Sequence, residues 1–189
     1  MGKVEDETDP KTMRDLFDYN PETGDLIWKP RPIEMFPTEN AFNGWNTRYA
    51  GKIAGSFYSN GYMRVGLFGR DHLAHRVVWA WVYGNWPKKQ IDHINGVRDD
   101  NRIANLRDVS RRENHKNVAK PINNTSGRIG VCWDNTRGKW LAYIKIRPKF
   151  INLGTFDSFE DACEARVKAE KKYGFHENHG RDQTQEMEG

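Results

Sequence analysis

Residues 91–116 read IDHINGVRDDNRIANLRDVSRRENHK, and this stretch determines how the rest of the chain is interpreted. Asp92 stands beside His93, and two carboxamides follow at Asn105 and Asn114. Carboxylate and carboxamide oxygens are suitable ligands for a hard cation such as Mg2+, and an imidazole accepts a proton from water near neutral pH. We therefore predict a single-metal site for phosphodiester cleavage, with Asp92 and Asn114 as metal ligands and His93 as general base. The side-chain carbonyl of Asn105 would hold a ring N–H of His93 and fix its tautomer.

Turn and capping patterns support this geometry independently. The Asn-Gly pair at 95–96 favours a tight turn, and the polar run 99–101 favours a second bend. Ser110 and Glu113 have the spacing of a capping box, which predicts that a helix begins at Arg111. The N-terminus of such a helix offers N–H groups to a phosphate, and nearby cations favour phosphates as well. The cations expected to contact phosphates here are Arg107, Arg111, Arg112 and Lys116.

The same stretch resembles the HNH nuclease family, and most closely its phage and intron homing type. That pattern reads roughly DHxxGxxxDNxxxNLxxxxxxxN, and the positions in register are Asp92-His93, Gly96, Asp100-Asn101, Asn105-Leu106 and Asn114. The resemblance implies a ββα-metal unit, in which a short hairpin and a helix hold one divalent ion, Mg2+ or Mn2+. It implies the same roles for the site residues and one-metal cleavage that leaves 5′-phosphate and 3′-hydroxyl ends. The last ligand of the family is often histidine, whereas Asn114 fills that position here and His115 follows it.

Composition places the chain in a broad class without fixing its activity. Its 189 residues suffice for one or two compact domains plus tails, and the net charge of +4 favours nucleic acid only weakly. The two cysteines, Cys132 and Cys163, form no CxxC pair, so we expect no zinc. The sequence has neither a long apolar run nor a signal-peptide core. We therefore expect a cytoplasmic protein, in a bacterial host if phage-encoded, without a membrane or a small-molecule cofactor as partner.

The N-terminal part of the chain predicts an α+β fold in which a β-rich segment leads into the nuclease unit. Apolar spacing predicts a short helix over 11–20 and a strand over 26–28, and the Asn-Gly pair within 59–61 predicts a hairpin turn. Residues 33–50 have few regular patterns, so we expect a long loop there. Apolar residues at helical spacing predict a further helix over 72–83.

Four positions leave alternatives open. His75 lies on the core-facing side of the 72–83 helix, where a histidine is usually a hydrogen-bonded packing residue, although a catalytic role is the competing interpretation. Arg76 could reach a phosphate or serve the fold alone. His176 and His179 have the spacing of a metal pair, but no packing pattern surrounds them, and we expect a flexible tail.

The C-terminal part predicts a three-stranded antiparallel sheet backed by one helix. Strands are expected over 129–133, 139–147 and 150–155, and a helix over about 158–173. This segment resembles the Apetala-type (ethylene-response-factor-like) DNA-binding domain at Gly130-Val131, Gly138-Lys139-Trp140, Leu153-Gly154-Thr155-Phe156 and Glu160-Asp161-Ala162. The resemblance implies that the sheet lies in the major groove of DNA. The base-reading arginines of that family fall near Ile129 and Cys132 here, so its sequence preference is not transferred.

These patterns combine into one predicted organisation and one predicted activity. The expected segments are a disordered tail (1–10), a β-rich region (11–70), the nuclease unit (71–120), a linker (121–127), the Apetala-type domain (128–175) and a flexible tail (176–189). In the Apetala-type domain the expected DNA contacts are Arg128, Trp133, Arg137, Lys139, Lys145 and Arg147. We predict a metal-dependent endonuclease that acts on double-stranded DNA as a monomer rather than a dimer. The alternative is a non-catalytic DNA-binding regulator that keeps a decayed nuclease unit.

Overall fold

The computed structural model describes residues 9–182, and the chain divides into two compact units, Met1–Asp108 and Val109–Gly189. Both contain short helices and small antiparallel sheets, which confirms the predicted α+β class. The division falls inside the segment 71–120 that was expected to form one nuclease unit. The expected tail at 1–10 lies almost wholly outside the described residues.

Among residues 9–182, the longest helix and the two longest strands lie in the second unit. The first unit contains α1 (Thr12–Leu16), β1 (Phe17–Tyr19), β2 (Leu26–Trp28), α2 (Glu39–Tyr49), β3 (Ser56–Phe57), β4 (Met63–Leu67), β5 (Arg70–Leu73), α3 (Ala74–Tyr83), β6 (Gln90–His93) and β7 (Leu106–Val109), which ends one residue past the division. The second unit contains α4 (Arg111–Asn114), β8 (Val131–Asp134), β9 (Lys139–Ile146), β10 (Lys149–Phe156) and α5 (Phe159–Lys172). Over residues 9–182, no helix combines the length and the apolarity needed to cross a bilayer.

Helix α3 forms the centre of the core in the first unit. Ala74, Val77, Val78 and Ala80 are at most 2% exposed, and they belong to one apolar cluster with residues of α1, β1, β2 and β6. Full burial of a valine contributes about 1.5 kcal/mol or more, so this side of the helix fixes its neighbours firmly. The helix ends at Gly84, which takes the left-handed conformation that a C-terminal glycine tolerates (φ 68°). The core thus holds the N-terminal hairpin and β6 against a single helix.

The N-terminal segments differ in part from the predictions. The helix expected over 11–20 ends at Leu16, because the chain turns extended at Phe17 and pairs with β2 in the register Phe17↔Trp28. The strand at Leu26–Trp28 is confirmed. So is the hairpin around 59–61, whose strands β3 and β4 pair antiparallel.

The loop predicted over residues 33–50 is wrong, because α2 occupies most of that segment. None of the α2 residues is buried, so the apolar periodicity that identifies a helix is missing. The Thr38 side chain caps the helix by accepting a hydrogen bond from the N–H of Ala41 at 3.2 Å. Aromatic contact replaces an aliphatic stripe, since the ring of Trp45 meets the ring of Trp28 edge-on at 5.4 Å.

The second unit has the predicted three-stranded antiparallel sheet with one helix against it. The strand order is β10-β9-β8, and α5 packs on all three strands. Ser158 caps α5 by accepting from the N–H of Asp161 at 3.0 Å. Val131, Ala142 and Ala162 form the buried centre between sheet and helix. The small side chains let the helix approach the sheet closely, so the strand that ends in Lys145 and Ile146 has a fixed position.

Residues 176–182, which the sequence assigned to a flexible tail, form backbone hydrogen bonds with the segment that follows α4. The N–H of Gly180 donates to the carbonyl of Val118 at 2.8 Å, and the N–H of Lys120 donates to the carbonyl of Arg181 at 2.8 Å. His179 is 7% exposed. The end of the described chain therefore belongs to the packed second unit, while residues 183–189 lie outside the description.

Candidate active site

Strands β6 and β7 form a two-stranded ribbon that places Asp92 and His93 at the end of β6. Asp92 is 6% exposed and His93 is 4% exposed. Beyond the strand, the N–H of Ile94 donates to the carbonyl of Asn105 at 2.8 Å, and the N–H of Gly96 donates to the carbonyl of His93 at 2.9 Å. The two site residues are thus fixed at the point where the ribbon opens into a loop.

The loop over residues 94–105 is held by its own carboxamides. The Asn95 side chain donates to Asp100 Oδ2 at 2.7 Å. Asn105 Oδ1 accepts from the N–H of Asn95 at 2.9 Å, and Asn105 Nδ2 donates to the carbonyl of Asp100 at 2.9 Å. Gly96 has φ 80°, as a tight turn requires. Asn105 therefore ties the two ends of the loop together.

The ring of His93 faces Asn101, which differs from the predicted contact with Asn105. Both polar atoms of the Asn105 side chain are bonded within the loop, whereas Oδ1 of Asn101 lies 3.3 Å from Nε2 of His93. A carboxamide oxygen can only accept, so this contact favours the tautomer with a proton on Nε2. Asn101 belongs to the Asp100-Asn101 pair of the HNH-like pattern. The pattern identified this position but did not predict that its side chain contacts His93.

Two rings from other elements pack beside His93. The ring of His75 on α3 meets it edge-on at 5.0 Å, and the ring of Tyr62 lies at 6.0 Å from it. Burial lowers the pKa of His75 to about 3, and His93 and Arg76 act in the same direction. His75 is thus a neutral aromatic wall beside the site, while Arg76 donates to the carbonyl of Lys89 at 3.3 Å.

Burial and the neighbouring groups shift the pKa of His93 in opposite directions. Burial lowers the pKa of His93, and it is the largest influence. The hydrogen bond to Asn101 and the carboxylates of Asp92, Asp100 and Asp99 raise it. The imidazole is therefore neutral at neutral pH, and the carboxylates reduce the cost of its protonation. The surroundings therefore suit a proton acceptor.

Arg107 bonds to the predicted metal ligand rather than pointing freely outward. Its Nε and Nη2 lie 2.8 and 2.6 Å from Oδ2 of Asp92. The guanidinium is about a third exposed, so it still borders solvent. Two donors on one carboxylate oxygen orient Asp92. The sequence predicted that Arg107 contacts a DNA phosphate and did not reveal its ion pair with Asp92. That ion pair depends on how strands β6 and β7 align, which sequence spacing does not give.

Asn114 is the last residue of α4, and the predicted capping box before it is confirmed. Ser110 Oγ accepts from the N–H of Glu113 at 3.2 Å, and Glu113 Oε2 accepts from the N–H of Ser110 at 2.9 Å. This box fixes the start of the helix at Arg111. Asn114 belongs to the second unit, so its pairing with Asp92 on a shared ion stays a prediction.

The donor chemistry of the predicted ligands fits a hard divalent cation. Asp92 offers a carboxylate oxygen and Asn114 offers a carboxamide oxygen, ligands that Mg2+ and Mn2+ accept with water completing the coordination. Within the span 9–182, no three or more His, Cys, Asp and Glu side chains are grouped as a metal site. Cys132 and Cys163, the soft donors, lie on β8 and α5 of the second unit.

Several of the predicted DNA contacts are bonded within the second unit. Arg128 forms an ion pair with Glu170, and Lys116 donates to the carbonyl of Tyr173 at 2.6 Å. Ion pairs also join Arg137 to Asp134 at 2.7 Å and Lys139 to Asp157 at 2.9 Å. Lys116 and Arg128 therefore serve the fold of this unit, whereas the surface pairs of Arg137 and Lys139 are weak enough to exchange for phosphates.

The remaining predicted contacts are open to solvent. Arg111 and Arg112 are exposed on the first turn of α4, and Lys145 and Arg147 are exposed where β9 ends. Trp133 is 47% exposed and borders a groove of about 480 Å³ along the edge strand β8. Lys145 lies over the rings of Tyr143 and Phe150 at 5.7 and 6.0 Å, and Trp133 packs against Trp140 at 5.3 Å. All of these side chains are nevertheless accessible to a nucleic acid.

Comparison with known proteins agrees with the position of the site. Residues 72–116 match a family model described as HNH endonuclease. Protein 3.8 of Escherichia phage T7 is 34% identical over 87 residues, which are 46% of this chain and 72% of that protein. No solved structure matches the chain. The matched segment begins at His72 and contains all four predicted site residues, Asp92, His93, Asn105 and Asn114.

Proposed function

Because the chain belongs to the family of phage T7 Protein 3.8 and contains an HNH endonuclease domain at residues 72–116, we propose that it is a metal-dependent DNA endonuclease of the homing type. The HNH domain at residues 72–116 supports assignment to a DNA endonuclease family. The observation that carries the proposal is the buried pair of Asp92 and His93 at the end of β6, each bonded to its own partner, Arg107 and Asn101.

His93 acts as general base in this proposal. It is neutral before the reaction, because burial lowers its pKa. The Nε2 atom faces Oδ1 of Asn101, which holds the ring in one orientation. The carboxylates around the ring, Asp92 among them, then stabilise the imidazolium. General-base action contributes about 10²–10⁴-fold, which is less than phosphodiester hydrolysis requires.

A single divalent ion, Mg2+ or Mn2+, would be held by Asp92 and Asn114. When bound, such an ion neutralises charge on the phosphate and stabilises the leaving oxygen. Arg107 keeps the Asp92 carboxylate oriented, as a metal ligand must be. With one ion per site we expect cleavage to leave 5′-phosphate and 3′-hydroxyl ends.

DNA affinity comes from exposed cations of α4 and from the C-terminal sheet, which we assign to the Apetala-type fold. The three strands and the helix of residues 131–172 support that assignment, and Lys145 and Arg147 extend from the end of β9. Arg111 and Arg112 stand at the N-terminus of α4. Cations in these positions neutralise backbone phosphates of double-stranded DNA without reading bases. We expect one chain to act as a monomer.

Supercoiled plasmid incubated with the purified full chain tests this proposal. With Mg2+ or Mn2+ we expect nicked or linear product, and with EDTA we expect none. Asp92→Asn should abolish cutting, while Asp18→Asn, which changes an exposed carboxylate on β1, should leave it intact. Binding without cutting by the wild type under every metal condition would instead support the regulator with a decayed nuclease unit.

A further inference from the structure

We propose that Tyr19, which lies outside the matched residues 72–116, is a positioning residue for His93. It acts through the carbonyl of Asn101 and the N–H of Ile103, and the inference rests on the proposed role of His93 as general base. The residue comes from β1, which is 53 or more positions ahead of the matched segment. The N-terminal hairpin then helps to position the nuclease site, although it lies outside the matched segment.

The hydroxyl of Tyr19 bonds to two backbone groups of the site loop. It accepts from the N–H of Ile103 at 2.8 Å and donates to the carbonyl of Asn101 at 3.2 Å. These groups belong to residues two positions apart, so one oxygen atom fixes the curvature of the chain between them. The side chain of the first, Asn101, is the one that faces Nε2 of His93 at 3.3 Å. A short chain of contacts thus leads from β1 to the base.

A second residue of the same hairpin contacts the same backbone. Gly24 has φ +85°, and a Cβ added there would lie 2.5 Å from the N atom of Arg102 and 2.6 Å from the carbonyl carbon of Asn101. Real Cβ atoms do not approach backbone so closely, so only glycine lets the hairpin turn lie directly against the loop. Tyr19 and Gly24 of the hairpin therefore both contact the backbone of residues 101–103.

Tyr19 is itself held in place by the core. Its ring packs against the indole of Trp81 at 5.5 Å, and it pairs with Leu26 in the β1–β2 register. The indole N–H of Trp81 donates to the carbonyl of Phe17 at 2.9 Å, which attaches β1 to α3. The same helix also carries His75, whose ring packs against His93. Helix α3 therefore contacts both β1 and the ring of the proposed base.

Removal of the hydroxyl leaves the ring packing intact and frees the loop. In Tyr19→Phe, the N–H of Ile103 and the carbonyl of Asn101 lose their shared partner. Small displacements of a reacting group cost up to about 100-fold in rate. We expect the kcat of DNA cleavage to fall about tenfold or more, while KM for DNA and the melting temperature stay near wild type. Tyr83→Phe, at an exposed tyrosine of α3, is the matched control and should cut normally.

Two further variants separate positioning from a general effect on the fold. Asn101→Ala should lower kcat about as much as Tyr19→Phe, and the two changes together should do no more than either alone. In a His93→Ala background, Tyr19→Phe should leave the residual rate unchanged. Additive losses in either combination would overturn the proposal, because they would mean that Tyr19 acts by another route.

A readout that needs no cleavage keeps this inference distinct from the proposed function. At one fixed pH, the imidazole NMR resonances of His93 should move in Tyr19→Phe and stay in place in Tyr83→Phe. If they move although the wild-type protein cuts no DNA, the positioning contact stands and the nuclease assignment fails. If the wild type cuts and Tyr19→Phe matches it in kcat and in the His93 resonances, the positioning proposal fails.

Discussion

His93 in the first unit and His179 in the second are both buried, yet opposite charges surround them. His93 is 4% exposed and lies among carboxylates, which raise its pKa against the effect of burial. His179 is 7% exposed, and burial together with the guanidiniums of Arg166, Arg128 and Arg181 lowers its pKa to about 4. Burial lowers the pKa of both histidines, and the neighbouring charges oppose that effect at His93 and reinforce it at His179. The charge of the neighbours, rather than burial, therefore distinguishes the two histidines.

The contacts of His179 explain its place in the fold. Its Nε2 lies 3.4 Å from a guanidinium nitrogen of Arg166, which also bonds to Glu170 and to the carbonyl of Tyr143. Phe175 packs edge-on against the imidazole at 4.8 Å. The histidine thus completes a buried network that attaches the chain end to α5 and β9, a role in which it stays neutral.

The largest expected effect separates these two histidines by activity. His93→Ala should lower the cleavage rate at least about 100-fold with DNA affinity kept, because only the general base is lost. His179→Gln should cut DNA at close to the wild-type rate. Single-turnover cleavage with an equilibrium binding assay measures both quantities. Near-normal cutting by His93→Ala would mean that the base lies elsewhere.

The next effect concerns the exposed cations of the second unit. Lys145→Ala combined with Arg147→Ala should reduce the slope of log affinity against log salt by about two, because each side chain is expected to neutralise one phosphate. Lys168→Ala combined with Lys171→Ala removes the same charge from α5 and is the matched control. Binding measured from low to moderate salt gives the slopes. Equal changes in both double variants would refute a DNA contact at the end of β9.

The pH dependence of protein stability tests whether His179 stays neutral in the fold. The folded pKa of His179 is about 4 and its ordinary value is about 6.5, so the unfolded chain binds the extra proton between these values. The stabilisation is complete above about pH 6.5 and is lost as the pH falls toward 4. Thermal melts of His179→Gln should therefore show a weaker loss of melting temperature between pH 7 and 4 than wild type. A loss as steep as in wild type would show that the network tolerates the charged ring.

The smallest expected effect tests the role of Arg107. Because its guanidinium bonds to Asp92, Arg107→Ala should change the salt slope by less than one while lowering the cleavage rate. Arg112→Ala, which removes an exposed cation from α4, should reduce the slope by about one and cut more nearly normally. A full unit of slope lost in Arg107→Ala would place that side chain on a phosphate, as the sequence alone suggested.

Local patterns predicted much of the site and the second unit. The positions of Asp92 and His93, the capping box at Ser110 and the strand pattern of residues 131–156 all depend on neighbours a few residues away. Such features follow from spacing, because turns, caps and alternating strands have short periods. The α+β class followed from them.

The features that sequence could not predict depend on distant contacts or on unusual packing. Tyr19 meets the loop across more than eighty positions, and no periodicity links them. The sequence predicted Asn105 as the partner of His93, whereas the structure shows Asn101 in that position. Both carboxamides lie in the same loop, so spacing alone does not distinguish which of them contacts the imidazole. Helix α2 was missed because aromatic edges attach it, and His179 was missed because a short polar segment gives no packing pattern.

In the proposed mechanism, Asp92 and Asn114 together bind one divalent ion. Titration of the full chain with Mn2+, followed by electron paramagnetic resonance, measures the number of bound ions and their affinity directly. We predict one ion per chain, with affinity at least about tenfold weaker in Asp92→Ala and in Asn114→Ala, since loss of a ligand costs no less than loss of its support. Wild-type Mn2+ affinity in Asn114→Ala would contradict the account.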